Sequence, residues 1–336
     1  MRDKKVDILR VIGTLLVILA HVSAPKAVIG LRTFDVCTLV MISGVSYVLS
    51  SNKKKSYQQY VVSRIKRLCL PAYFTAISIF ALCGILCSLV GRQYPYSLQQ
   101  VIETFLFIGG RSGGIGYFWI VRIYLLIALC SPVLQKINLR IKNNTYFTGT
   151  VLVLLGVNEL VFRLLFGRYG AVCDMLLENY VLSCIGYSTI ALVGMRVKSD
   201  IKIVNFMLPI LALMTIISVI SSKGQYLTSL NNYKYPPQFT YLVYGLFISL
   251  LLWRVLDLLN IDRFNVKFIG WFSKKSFSIY LAHILLLFLI SWADKYIGEF
   301  AIMKLWVTKY FIIVISSIGI VLLWELSMRF CKRKRG

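Results

Sequence analysis

Residues 6–25 read VDILRVIGTLLVILAHVSAP, and this stretch carries two signals at once. Its apolar run is about as long as the roughly 20 helical residues that span the hydrocarbon core of a bilayer. Yet Asp7, Arg10 and His21 lie inside it. An ionisable group at that depth costs on the order of 3 kcal/mol unless it is paired or lines a wet cavity. The stretch therefore reads as a transmembrane helix whose polar residues have work to do.

The same apolar length recurs along the 336 residues, at about 7–24, 33–50, 71–90, 116–134, 147–166, 173–195, 202–221, 239–259, 276–293 and 307–328. With 58% hydrophobic residues and mean hydropathy +0.75, the chain lacks the polar surface a soluble globule needs. The expected fold is all-α, a polytopic membrane protein of about ten transmembrane helices forming a single unit over residues 1–336. Val-Ser-Ala before Pro25 resembles the end of a cleavable leader. Proline directly after the cut, with Asp7 and Arg10 at the front, favours retention as a first helix instead.

A net charge of +25 could mark a nucleic-acid binder, but the basic residues follow the spans. Connections on one side, with both tails, hold 25 Lys and Arg; the opposite connections hold 10, and Arg10, Arg122 and Arg163 fall within spans. That bias sets orientation by the positive-inside rule, with both termini cytoplasmic. No nucleic-acid partner is expected.

The eight cysteines show no C-x-x-C spacing and fall mostly in spans, so neither a disulfide framework nor a metal is expected. The outward segment 91–115 joins an amphipathic stretch to a glycine-rich turn, GGRSGGIG, a possible lid with no phosphate-loop Lys-Ser/Thr after it. The second outward loop, 222–238, reads as an ordinary polar turn. The inward segment Tyr57–Leu70 has helical spacing of aromatic, aliphatic and basic residues, and is expected to lie on the cytoplasmic leaflet as an amphipathic helix.

His21 and His283 are the only histidines, and both fall within spans. Arg10 and His21 are 11 residues apart, hence about 16 Å along a helix and only about 20° around it. They share a face, Arg10 toward the cytosol and His21 toward the outside. Asp35 opens the next span at His21's depth. It either steadies the imidazole as general base or complements its own helix dipole. For His283 an interhelical hydrogen bond competes with a role at the site. Arg64 and Arg67 are either lipid anchors or a clamp for phosphate oxygens.

Five segments together resemble the acyltransferase 3 family, in order along the chain. VDILRVIGTLLVILAH resembles its opening helix with Arg-x10-His, here Arg10 and His21. FDVCTLVMISGVSYVLS resembles its second helix, with Asp35, Ser43 and Gly44, and YVVSRIKRLCLPAYF its basic segment, with Arg64, Arg67, Pro71 and Tyr73. GYFWIVRIYLLIALCSPVL, with Trp119, Tyr124 and Pro132, and IGWFSKKSFSIYLAHILLL, with Ser278, Tyr280 and His283, complete the set. Cys37 and Thr38 depart from a more usual Phe pair, and Arg122 from an apolar residue.

The resemblance implies a stand-alone O-acyltransferase, multi-pass in a bacterial cytoplasmic membrane. It would move an acyl group, acetyl being the expected one, from cytosolic acyl-CoA to a hydroxyl of a surface polysaccharide or its lipid-linked precursor. His21 and Asp35 would be catalytic, and Arg10, Arg64 and Arg67 would hold the phosphates of the acyl-CoA. Trp119, Tyr124 and His283 would meet the acceptor, the two aromatics alternatively serving as lipid-interface residues. The competing reading is a transporter or flippase of a lipid-linked glycan.

Overall fold

A computed structural model describes residues 3–50, 56–108, 115–259, 261, 267–296, 298 and 303–333. The lysine run 53–55, the glycine-rich turn at 109–114 with its expected lid, and the basic tail 334–336 lie outside the described residues.

Helices are the chain's only regular structure among these residues. Its helices are α1 (Lys4–Leu19), α2 (Lys26–Leu31), α3 (Asp35–Leu49), α4 (Tyr57–Leu89), α5 (Leu98–Phe105), α6 (Trp119–Arg140) and α7 (Asn144–Leu165). Then follow α8 (Ala171–Leu176), α9 (Ser183–Ser199), α10 (Lys202–Ser221), α11 (Tyr226–Ser229), α12 (Phe239–Leu258), α13 (Lys267–Tyr296) and α14 (Trp306–Arg333). Among the described residues nine segments are long and apolar enough to cross a membrane; α2 with α3, and α8 with α9, count as one each. The tenth expected crossing, α1, has 16 residues, about 24 Å of helix. It stops early because Ser23 adopts φ 57° and Pro25 disfavours helical backbone before it. His21 therefore sits in a turn beyond the last helical residue.

Contacts at the two ends fix the alternation. At one end Lys5 pairs with Asp257 at 2.7 Å and Lys198 with Asp3 at 3.3 Å. There too Ser273, early in α13, donates to Asp7 of α1, and Trp271 donates to Glu325 near the end of α14. The first and last helices thus have their chain ends at the same end of the bundle. At the other end Asn158 donates to the Pro237 carbonyl.

The centre of the bundle is the crossing of α3 and α9, both buried around nearly their whole circumference. Two glycines make it possible. A Cβ on Gly44 would collide with the Ala191 carbonyl, and one on Gly194 with the Met41 carbonyl, so the backbones approach as small residues allow in membranes. Helices α4, α10 and α14 are peripheral and present Phe74, Ile216 and Leu323 outward, as lipid-facing helices do.

Two expectations change. The segment Tyr57–Leu70 is no separate helix on the leaflet: it is the first part of α4, a continuous 33-residue helix containing Pro71. At about 50 Å α4 exceeds the hydrocarbon core, so its basic start extends past the core. A capping box from Ser56 and Gln59 secures that start. The loop 222–238 is no simple polar turn either, since it packs inward through Tyr226, Leu230 and Lys234.

Candidate active site

A cavity of about 610 Å³ opens between α1, α3, α4, α6 and α13. Its lining includes Asp3, the N-cap of α1, and on α1 itself Val6, Asp7, Arg10, Thr14 and Val17, a spacing mostly of three and four that keeps one helical face inward. His21 continues the same series. From α4 come Tyr60, Arg64 and Arg67, again one face, overhanging the mouth. Arg10, Arg64, Arg67 and Lys274 make the mouth cationic, and Leu39, Ile120, Tyr124 and Tyr280 line its apolar depth. Tyr124 therefore faces this inner cavity, whereas the sequence reading set it toward the outside.

Arg10 is held by hydroxyls, donating to Ser273 Oγ at 3.1 Å and Ser46 Oγ at 2.9 Å. Arg64 stacks over the Tyr60 ring at 5.1 Å, and its Nε is buried without a hydrogen-bond partner among the described residues. Arg67 is exposed. The structure thus brings the three sequence-predicted arginines to one mouth.

At the deep end Tyr280 donates to the Tyr117 carbonyl. Behind Tyr280 lie the two histidines, their rings stacked with centroids 5.7 Å apart. His283 Nδ1 engages the Tyr280 carbonyl, and its Nε2 is buried without a hydrogen-bond partner among the described residues. Helices α1 and α13 run parallel, so that Arg10 meets Ser273 near one end and His21 meets His283 near the other. His283, for which a purely interhelical bond was the competing reading, shares the site with His21. The His21 ring also contacts Tyr117, edge-on at 4.7 Å. His21 is half-buried beneath Tyr117, which is itself exposed.

Asp35 does not pair with His21. Its Oδ2 accepts from Arg32, and its Oδ1 accepts from Lys234 Nζ at 3.2 Å and from the Val36 N–H at 2.8 Å. All three side chains are nearly inaccessible. Two cations outcompete a neutral ring for one carboxylate, because charge-assisted hydrogen bonds are the stronger. Lys234 also lies over the rings of Trp119 and Tyr235, at 5.4 and 5.7 Å. With Tyr235 edge-on at 5.1 Å as well, the Trp119 face expected to stack on a sugar is already covered. Burial pulls the Lys234 ammonium down to about 8, against the opposing pull of Asp35. Lys234 and Tyr117 were missed from sequence, and Tyr280 stood out only as part of the Ser-Tyr-Leu-x-His motif. Arg32, three residues before Asp35, carried a local signal in its i, i+3 spacing.

Arg122, the unusual charge in α6, donates to the Phe107 carbonyl and lies over the Tyr180 ring at 5.8 Å. It ties the outward segment after α5 to the bundle.

A bundle of apolar helices long enough to cross a membrane, with a cationic cavity mouth at one end and a histidine pair at the other, defines a class: a multi-pass membrane protein. The model of the acyltransferase 3 family, an acyltransferase domain, matches residues 3–325, and the chain belongs to that family. It is a membrane acyltransferase. Neither the curated proteins nor the solved structures contain a match to it.

Proposed function

We propose that the protein transfers an acyl group, acetyl in the simplest case, from cytosolic acyl-CoA to a hydroxyl of a surface polysaccharide or its lipid-linked precursor. The observation that carries this reading is one cavity with Arg10, Arg64 and Arg67 at its mouth and Tyr280, backed by His283 and His21, at its depth. The arginines would hold the donor's phosphates, since guanidinium forks match phosphate oxygens. The thioester arm would run along the apolar wall toward Tyr280. From Arg10 to His21 is about 16 Å, comparable to an extended pantetheine arm.

In this reading an imidazole nitrogen of His21 takes the proton of the acceptor hydroxyl as its oxygen attacks the thioester carbonyl. The tetrahedral intermediate collapses, the C–S bond breaks, and the departing thiolate takes the proton back from His21. One ester and one thiol result. Asp35 acts through Arg32 and Lys234 and not as the direct partner of the imidazole. The setting would be a bacterial cytoplasmic membrane, with the acceptor arriving from outside.

The test is transfer of a radiolabelled acetyl group from acetyl-CoA into the surface glycan of membranes carrying wild-type or variant protein. His21→Ala is expected to abolish transfer at unchanged protein level, and His283→Ala to lower it less. Near-normal ester content in His21→Ala would reduce His21 to a packing residue and sink the mechanism.

A further inference from the structure

We propose that the cluster of Arg32, Asp35 and Lys234 is an anion-recognition site, and that the acceptor presents a phosphate or carboxylate to it while a hydroxyl meets His21. This deepens the acyl-transfer reading and rests on it for the word acceptor; the anion site itself does not.

The first argument is charge. Arg32 and Lys234 are 5% and 2% exposed, and they share the one carboxylate of Asp35, itself 1% exposed. Taken together the three carry a surplus of one positive charge. Asp35 also accepts from the Val36 N–H, so its capacity is largely used. A buried charge without a full partner costs several kcal/mol, and the amino end of α3 adds partial positive charge at the same place. The fold has gathered more cation here than its own acid can neutralise.

The second argument is an orphaned donor. Arg32 Nε is buried and has no hydrogen-bond partner among the described residues. Only one edge of the guanidinium is thus used by Asp35, through NH1. The Nε edge is the geometry that takes two oxygens of a phosphate or carboxylate. Lys234 has Asp35 on one side and the Trp119 and Tyr235 faces around it, and it keeps donor capacity beyond its bond to Asp35.

Position supplies the third. The entry to α6 carries both neighbours: Tyr117, in the turn before it, touches His21, and Trp119, its first residue, touches Lys234. An anionic group held at the cluster would place its own glycan beside the imidazole. A neutral glycan would leave the surplus charge unanswered.

The test uses the full-length protein in nanodiscs and reads thermal unfolding with inorganic phosphate, glucuronate or glucose, at ionic strength matched with chloride. A ligand that binds only the folded state raises the unfolding temperature saturably. At least one anion is expected to do so, and glucose is not. A response to phosphate alone would point to a phosphate-bearing acceptor, and one to glucuronate to an acidic sugar. Lys234→Met should weaken the apparent affinity at least tenfold, and Lys234→Arg should retain most of it. Asp35→Asn should enlarge the anion-dependent shift, because it removes the competing carboxylate; a merely structural cluster would show no such gain. The shift should persist in Arg64→Ala/Arg67→Ala, which excludes the cationic mouth as its source. Should Lys234→Met fail to fold, the Asp35→Asn comparison decides. No shift beyond chloride, an undiminished shift in Lys234→Met, or a smaller one in Asp35→Asn would overturn the proposal. Acyl-CoA binding, measured on the same wild-type sample, separates the two readings: its absence would sink acyl transfer and leave the anion result standing.

Discussion

Arg67 stands exposed at the cavity mouth while Arg64, one turn earlier, is stacked on Tyr60, so the two offer different handles on the donor. If Arg67 grips a phosphate of acyl-CoA, Arg67→Ala should weaken binding of a non-hydrolysable acyl-CoA by about 1.5–3 kcal/mol, roughly tenfold or more. Arg67→Lys should restore only part, since it lacks the bidentate fork. Equal affinity in all three proteins would remove Arg67 from the donor site. Lys234 offers a second residue-scale test. Its folded value of about 8 lies below its ordinary 10.5, and the charged or titratable groups around it include Asp35, Arg32 and Cys37, with His21 and Tyr235 also near. Between those limits the unfolded chain keeps a proton that the folded one has lost, so this residue's contribution to stability rises with pH across the window. The unfolding temperature of wild type relative to Lys234→Met should therefore climb from pH 8 toward pH 10; a constant difference would mean Lys234 is not so depressed. The contrast between these residues shows what sequence could reveal. The Arg10–His21 face was legible because helical periodicity is local. The pairing of Asp35 was not, because Lys234 reaches it from 199 residues further along the chain, out of a loop that read as solvent-exposed.

At the scale of elements, the α3–α9 crossing is the feature on which the site's registry depends. Helix α3 carries Asp35 and the cavity residues Leu39, Ser43 and Ser46, and its depth is set where Gly44 and Gly194 let backbones touch. Gly194→Val should therefore cost about 3 kcal/mol or more, the upper range for overpacking a core, because the atom it meets is backbone and cannot turn aside. Gly156→Val on the peripheral helix α7 meets nothing within 4 Å and should be nearly neutral. Heating each protein in detergent and following the monodisperse fraction by size-exclusion chromatography compares them. Similar losses in both would mean the crossing is looser than it looks. From sequence, Gly44 stood out only as part of a Ser-Gly pair, and its backbone partner on α9 was invisible. The continuity of α4 was hidden for another reason. Pro71 read as a helix boundary because it disfavours helix before it, yet membrane helices tolerate proline when neighbouring groups satisfy the freed carbonyl. Keeping α4 unbroken is what holds Arg64 and Arg67 rigidly over the mouth.

For the whole molecule, the direction of the reaction path depends on which end of the bundle faces the cytosol. The alternation of helices, read from apolar run lengths, is reproduced by the end-to-end contacts, because ten near-equal runs leave few ways to fold. The side assignment rests on 25 basic residues against 10, and ion pairs take up basic residues at both ends, Lys5, Lys198, Arg254 and Lys275 at one of them. Two of the ten, Arg32 and Lys234, are buried on Asp35, and a third, Lys309, lies 3.7 Å from Asp294. Charges consumed in this way contribute less as flanking charge than the solvated ones that orient a chain during insertion. At the opposite end Arg196 caps the α6–α7 connection through the Asn138 and Lys142 carbonyls and the Asn144 side chain, while exposed Lys136, Arg140 and Lys142 around it stay free to act on topology. Single cysteines introduced at Asn143 and Ser199 should accordingly be labelled by maleimide only after the membrane is permeabilised, and cysteines at Tyr169 and Ser229 in intact cells. Cysteines at Asn52 and Gly113, which lie outside the described residues, should score cytoplasmic and external respectively. If Ser199 were labelled in intact cells and Tyr169 protected, the arginine mouth would face away from cytosolic acyl-CoA. The donor could then not enter where the guanidiniums wait, and the proposed path from Arg67 to His21 would fail whatever the individual residues do.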